Sequence, residues 1–197
     1  MARRKRRRTG RGVYKPKTVT PKPGSRKEVA EGLKAAAAYF LLRRGYACAF
    51  ELGIAAWGSR RADVIGNKIS GHIIMVEVKS SVEDFKVDSK WPEYMRSRIC
   101  DKFYFIFTEE VWAKICDKPE LRSRIQKTPG VLLLDPRTGY AYVKKHAAAI
   151  EVPIENRVTM LARLAWRAGE LSKRTKRNRE RVFVKEPTLA AAAGIKQ

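Results

Sequence analysis

Arg61-Ala-Asp-Val-Ile-Gly and His72-Ile-Ile-Met-Val-Glu-Val-Lys-Ser-Ser81 are two strand-like runs separated by a short polar turn containing Asn67, Lys68, Ser70 and Gly71. The first run carries one carboxylate, Asp63; the second carries Glu77 and Lys79, two residues apart. Side chains at i and i+2 of a strand share a face, so Glu77 and Lys79 emerge side by side while Val76 and Val78 point the other way. A hairpin pairing the two runs brings Asp63 beside them. Charges on an otherwise apolar strand are costly to bury unless they are paired or bound to a cation.

Working outward, Ser25 reads as an N-cap with Glu28 completing a capping box. The helix that follows runs to about residue 44, and Val29, Leu33, Ala36, Ala37, Phe40 and Leu41 form its apolar face, with Tyr39 also assigned to the core. Gly45 stops it, and residues 46–52 form a first strand ahead of the Asp63 run. After Lys79 the pattern turns helical, with a break and restart at Pro92. Residues 102–108 (Lys-Phe-Tyr-Phe-Ile-Phe-Thr) are an aromatic, buried-type strand, 109–126 a helix, 131–135 an interior strand and 140–145 an edge strand. A last helix spans 155–172, its apolar face being Val158, Leu161, Ala162, Leu164, Ala165 and Ala168. The order predicts an α/β domain with a central mixed sheet flanked by helices. Residues 26–172 form that domain, between a basic disordered tail (1–25) and a basic, then Ala-rich C-terminal tail (173–197).

The 197 residues carry a formal net charge of +23, unevenly spread. Residues 1–27 hold 12 Lys/Arg and no acid, and residues 170–197 contribute a net +5, leaving only +6 for everything between. Basic tails of this kind neutralise phosphates and release counterions, so nucleic acid is the expected partner, RNA as readily as DNA on charge alone. Arg3, Arg4, Lys5, Arg6, Arg7 and Arg8 lead the list of contacts; the alternative is a tail that only solubilises the chain. Cys48, Cys100 and Cys116 are widely spaced, which supports neither a zinc site nor a disulfide framework and favours a reducing compartment. No apolar run is long enough to span a membrane. The basic N-terminus lacks the apolar stretch of a secretory signal. The expected location is the cytoplasm, of a bacterial nucleoid-associated or phage-encoded protein, although the N-terminus also suits an organellar or nuclear address. Nothing in the sequence fixes the oligomeric state.

Asp63, thirteen residues, then Glu77-x-Lys79 resembles the core motif of the PD-(D/E)xK nuclease superfamily, the restriction-endonuclease-like fold. The flanks narrow the resemblance. Arg60-Arg-Ala-Asp-Val-Ile65, Val76-Glu-Val-Lys-Ser-Ser-Val-Glu-Asp-Phe-Lys-Val-Asp-Ser-Lys-Trp-Pro-Glu-Tyr94, Cys100-Asp-Lys-Phe-Tyr-Phe105 and Gly130-Val-Leu-Leu-Leu-Asp135 closely resemble the MmcB-like DNA repair proteins, a bacterial branch of that superfamily, over roughly residues 28–170. The basic tails are not part of the shared pattern. The resemblance implies a role in tolerating DNA damage and a Mg²⁺- or Mn²⁺-dependent nuclease. Asp63 and Glu77, with the Val78 carbonyl, would hold the cation, which prefers oxygen ligands. The cation would polarise a phosphodiester and acidify a bound water, while Lys79 positions that water or offsets charge on the phosphate. A first-helix acid often completes such sites; Glu31 is the first choice and Glu28 the second.

Each of these readings has a plainer competitor. Glu77 and Lys79 also fit an ion-pair ladder on an exposed strand. Arg60 and Arg61 are candidates for phosphate contact or ordinary surface charges. Lys86, Lys90 and Trp91 follow the catalytic strand and are candidates for the substrate groove, Trp91 by stacking on a base or sugar; the alternative packs Trp91 against the sheet. Asp84 and Asp88, four apart, read as a shared helix face pairing with nearby bases. His72 and His146 show no partner pattern, and Ser80-Ser81 lacks the setting of a nucleophile. At the level of function, the competitor to a nuclease is a catalytically silent DNA- or RNA-binding protein, or a ribonucleoprotein scaffold, working through its tails.

Overall fold

The computed structural model describes residues 24–54, 61–126 and 128–183. The expectations placed on Arg3 to Arg8, on Arg60 and on the chain after residue 183 lie outside that set. The elements are α1 (Arg26–Leu42), β1 (Ala47–Gly53), β2 (Arg61–Asn67), β3 (Ile73–Val78), α2 (Val82–Val87), α3 (Trp91–Arg96), β4 (Lys102–Thr108), α4 (Glu109–Cys116), α5 (Pro119–Ser123), β5 (Gly130–Leu134), β6 (Ala141–Lys145) and α6 (Ile154–Phe183).

The six strands form one sheet in chain order. β1, β2 and β3 run antiparallel, β3, β4 and β5 parallel, and β6 antiparallel to β5. The parallel pairs need crossovers, and α2–α3 and α4–α5 supply them. Alternation along β4 sorts the two faces: Tyr104 and Ile106 pack under α1 with Val64, Val76, Val78 and Leu132. Phe103, Phe105 and Phe107 face the other helices with Met75, Phe85, Tyr94, Ile115 and Met160. The rings of Phe85 and Phe105 meet edge to face at 5.2 Å, as do Phe103 and Phe105 at 5.1 Å, the arrangement that ring quadrupoles favour. The expected α/β architecture, covered on both faces, is the one observed.

α1 begins at Ser25, whose hydroxyl accepts from Glu28 N–H at 3.3 Å. The Glu28 carboxylate returns to the N–H of Gly24, one residue before the partner a capping box would use. The expected apolar face is buried, with one correction: Tyr39 is 41% exposed while Phe40 is 4% exposed. Consecutive helical positions diverge by about 100°, so only one of the two rings can face the sheet.

Two further expectations change. Residues 109–126 form two short helices because Pro119 starts a new first turn after α4 ends at Cys116. α6 continues to Phe183, eleven residues past its expected end. It is also rotated: Met160 is buried while Val158 is 58% and Leu161 39% exposed. Polar anchors set that rotation. Arg157 donates to both carboxylate oxygens of Asp101, at 2.9 and 3.0 Å, and to the carbonyl of Gly71. Asn156 Nδ2 donates to the Ser97 carbonyl at 2.9 Å and Arg163 Nη1 to that of Gly53 at 3.0 Å. Gly71 closes the β2–β3 turn at φ +80, a left-handed conformation that glycine adopts freely. Replacing Arg157 by Ala should lower stability by about 1–2 kcal/mol, read as a shifted urea midpoint; an unchanged midpoint would mean that the other contacts hold α6 without it. Among the described residues, no helix is long and apolar enough to cross a membrane.

Candidate active site

All six residues of β3 are buried, Glu77 included. Val76 and Val78 pack under α1, as the period of two requires, which turns Glu77 and Lys79 together toward the opposite side of the sheet. The β2–β3 ladder pairs Val64 with Val76. It thereby brings Asp63 alongside, and Asp63 Oδ2 accepts the Val78 N–H at 2.8 Å. On the far side of β2, the ladder pairs Phe50 with Val64 and Leu52 with Ala62, skipping Glu51 and Asp63. Glu51 there has φ +50, a left-handed conformation costing a non-glycine residue roughly 1–3 kcal/mol. The skipped position frees Asp63 from regular pairing at the point where its carboxylate is used.

The chain after Lys79 is fixed just as closely. Ser81 Oγ accepts the Asp84 N–H at 3.1 Å and Asp84 Oδ2 accepts the Ser80 N–H at 3.3 Å, so the two serines form the start of α2. α2 stops at Val87, and Asp88 leaves it in extended conformation (φ −70, ψ 112). Asp84 and Asp88 therefore do not share the helix face expected of them, although Asp88 does pair with a basic residue. Asp88 instead swings inward, and its Oδ2 lies 2.6 Å from Lys79 Nζ. Arg124 brackets this exit: its Nη1 donates to the carbonyls of Phe85 and Lys86 at 2.8 and 2.9 Å, and its Nη2 to that of Asp88.

The result is a cleft of about 370 Å³ at the C-terminal end of β3, lined by Lys34, Asp63, Glu77, Lys79, Asp84 and Asp88, among others. Among the described residues, Glu77, Lys79 and Asp88 are the buried charged side chains. Lys79 Nζ is 3.4 Å from Glu77 Oε1, while Glu77 Oε2 is buried without a hydrogen-bond partner. Glu77 and Asp88 thus share the Lys79 ammonium group, with Asp63 lining the same cleft. Burial, then the neighbouring charge of Asp63, pushes the Glu77 carboxyl up to about 8, the nearby Lys79 notwithstanding. Burial likewise raises Asp63 against the opposing hydrogen bond from Val78. Burial alone would lower Lys79, but the charge of Glu77 and the hydrogen bond with Asp88 outweigh it and hold the ammonium protonated.

Asp63, Glu77 and Lys79 are thus brought together as the sequence suggested, on a buried strand rather than an exposed ladder. Lys90 lines the cleft with an exposed side chain, whereas Lys86 is exposed outside it. Arg61 is exposed at the start of β2. Trp91 corrects the groove reading: its ring packs on the sheet, stacked on Phe103 at 6.5 Å and edge-on to Phe105 at 5.7 Å, because its place at the first turn of α3 faces the aromatic side of β4. Glu31 is also corrected. It lies outside the cleft, largely exposed, and pairs with Lys34 at 3.6 Å. α1 offers the cleft a cation, Lys34, which also holds Glu51. Lys34, Glu51 and Asp88 are the participants that sequence reasoning missed. The left-handed backbone at Glu51 left no sequence signal.

Among the described residues, no group of three or more His, Cys, Asp or Glu side chains is gathered as a ready-made metal cage. Magnesium does not require one, since it takes one or two carboxylates and keeps several waters. Asp63 and Glu77, the latter with an orphaned buried oxygen, fit that demand.

A family model described as MmcB-like, DNA repair protein MmcB-like, matches residues 18–173. Among solved structures, the SPO1766 protein of unknown function from Silicibacter pomeroyi superposes with a TM-score of 0.61 at 24% identity, over 75% of this chain and 90% of that one. At that identity the likeness is one of fold, and the open mixed sheet is consistent with the restriction-endonuclease-like class. No curated protein matches the chain.

Proposed function

The chain belongs to the MmcB-like family of DNA repair proteins, and on that footing we propose that it hydrolyses phosphodiesters of DNA at the Asp63–Glu77–Lys79 cleft with a bound divalent cation. One observation carries the reading: the buried, unpartnered Glu77 Oε2 in a cleft where carboxylates outnumber ammonium groups. Such an excess is relieved either by a proton or by a cation. Asp63 and Glu77 would hold Mg²⁺ or Mn²⁺, with the Val78 carbonyl as a further ligand. The cation would supply Lewis acidity toward a phosphate oxygen and a water of lowered pKa.

The chain's own residues do the rest. Asp88 and Glu77 hold Lys79 from two sides, so its ammonium keeps one place from which to orient a water or offset charge developing on phosphate. The hydrogen bond from Val78 fixes one oxygen of Asp63 and leaves the other for the cleft. Lys34 and Lys90 line the walls with positive charge suited to a phosphate backbone. The basic N-terminal residues would add affinity that is independent of sequence and sensitive to salt.

The test is calorimetric titration of Mg²⁺ into the wild type and into Asp63→Asn/Glu77→Gln, followed by Mn²⁺-supported cleavage of duplex, flap and single-stranded DNA. Saturable binding that the double variant loses, with cleavage lost in step, supports the proposal. Failure of the wild type to bind the ion, even with DNA present, would make the cluster structural. The chain would then be a non-catalytic nucleic-acid binder acting through its tails.

A further inference from the structure

Tyr39 and Tyr140 are distant in the chain and meet where α1 crosses the start of β6. Their rings are stacked, 4.9 Å between centroids and 12° between planes. Both remain open, at 41% and 49% exposure. With Phe40, Arg43, Arg44 and Ala141 they line a concavity of about 420 Å³. Arg43 lies over the Tyr39 ring at 5.9 Å. Arg44 lies over Phe40 at 3.6 Å, tied by Nη1 to the Phe40 carbonyl at 3.0 Å. No carboxylate lines this surface among the described residues. The acid in the adjoining turn, Asp135, already accepts from the Arg137 N–H at 2.9 Å and the Thr138 hydroxyl at 3.0 Å.

Two parallel rings left open to water are a poor way to stabilise a fold, since their outer faces gain nothing from the stack. Stacked aromatics beside guanidinium groups are instead what an unpaired base and its phosphate require: a π surface that any base can extend, and cations for the backbone. A duplex keeps its bases inside and has nothing to offer the rings. We propose that Tyr39 and Tyr140, with Arg43 and Arg44, form a stacking platform for an unpaired base of single-stranded nucleic acid. The proposal rests on the nucleic-acid part of the functional reading and names the strand state that this surface selects. Tyr39 and the cleft residue Lys34 are five positions apart on α1, about 8 Å along its axis. The same spacing turns them about 140° apart around the helix, so the platform and the cleft lie on different sides of α1.

The experiment uses the full chain in EDTA, where cleavage plays no part, and about 0.3 M KCl to weaken contacts made by charge alone. The probe is a thymidine-rich single strand carrying one 2-aminopurine, whose fluorescence is quenched when it stacks. The wild type should quench it. Tyr39→Ala/Tyr140→Ala should bind the single strand about 10- to 100-fold more weakly, change duplex affinity less than about twofold, and keep the wild-type melting temperature. Tyr39→Phe/Tyr140→Phe, which retains the rings, should match the wild type. The proposal is overturned if the Ala variant quenches and binds as the wild type does, or if it loses duplex and single-strand affinity equally. The same holds if the wild type shows no preference for single strands, which would leave the surface to a protein partner. Mg²⁺ titration of the Ala variant separates the two readings: intact metal binding with unchanged strand affinity removes the platform and spares the cleft.

Discussion

Replacing Lys79 by Ala should destabilise the protein by about 3–5 kcal/mol, the cost of stranding buried charge when one partner of a buried pair is removed. The Lys79 side chain is 5% exposed and 2.6 Å from Asp88, so its loss leaves the Asp88 carboxylate in the protein interior without its counter-charge, while Glu77, 3.4 Å away, loses a hydrogen-bond donor. Urea unfolding at pH 7 reads the loss. Mg²⁺ should restore part of it if the cleft holds the ion, because a ligand that binds only the folded state stabilises it. At saturating metal, DNA cleavage should fall by about 10²–10³-fold, while DNA binding persists through groups elsewhere. A variant as stable as the wild type would show that Asp88 and Glu77 do not depend on Lys79, and the picture of a cation clamped by two acids would fail.

The second large effect concerns pH. Without metal, the Glu77 carboxyl in the folded state sits at about 8, against an ordinary value of 4.5. Below pH 4.5 the group is protonated whether folded or unfolded and contributes nothing to pH dependence. Between 4.5 and 8 the unfolded chain releases the proton while the folded chain keeps it. Rising pH therefore favours unfolding across that window, by on the order of a few kcal/mol once pH 8 is reached. Glu77→Gln cannot titrate, so in EDTA it should unfold at higher urea than the wild type at pH 8 and at a similar concentration at pH 5. Metal reverses the sign: the ion displaces the proton, so wild-type affinity for Mg²⁺ should rise from pH 6 to pH 8 while the variant binds poorly throughout. Parallel loss of stability in the two proteins would show that Glu77 is already ionised when folded.

Local chemistry made much of this molecule legible in the sequence. Ser25 and Gly45 frame α1 by capping, the period of two turns Glu77 and Lys79 to one face, and the aromatic alternation of β4 needs a sheet covered on both sides. What escaped depends on contacts between distant segments. α6 is rotated by the pairing of Arg157 with Asp101 and of Asn156 with Ser97, bonds that no count of apolar residues reveals. Asp88 was placed on a helix face because it lies four residues from Asp84, yet α2 ends one residue earlier and the acid enters the cleft. Trp91 is a large ring next to the expected groove, and Phe103 and Phe105 of β4 decide that it packs inward. Glu31 fits the family expectation by residue type, but Lys34, one turn on, is the charged α1 residue that lines the cleft.

The kink at Glu51 matters beyond Asp63. β1 and β6 are the two ends of the sheet, and a chain of charge +23 gathers at high local density along any polyanion it binds. Crowding of that kind is when open sheet edges zip neighbouring copies into aggregates. At one end the left-handed turn at Glu51 interrupts the straight row of hydrogen-bonding groups. At the other, β6 carries a register shift against β5 and an exposed Lys144. Kinks, bulges and edge lysines all discourage strand addition. The same backbone irregularity that releases an acid into the cleft thus also keeps densely loaded molecules from joining edge to edge.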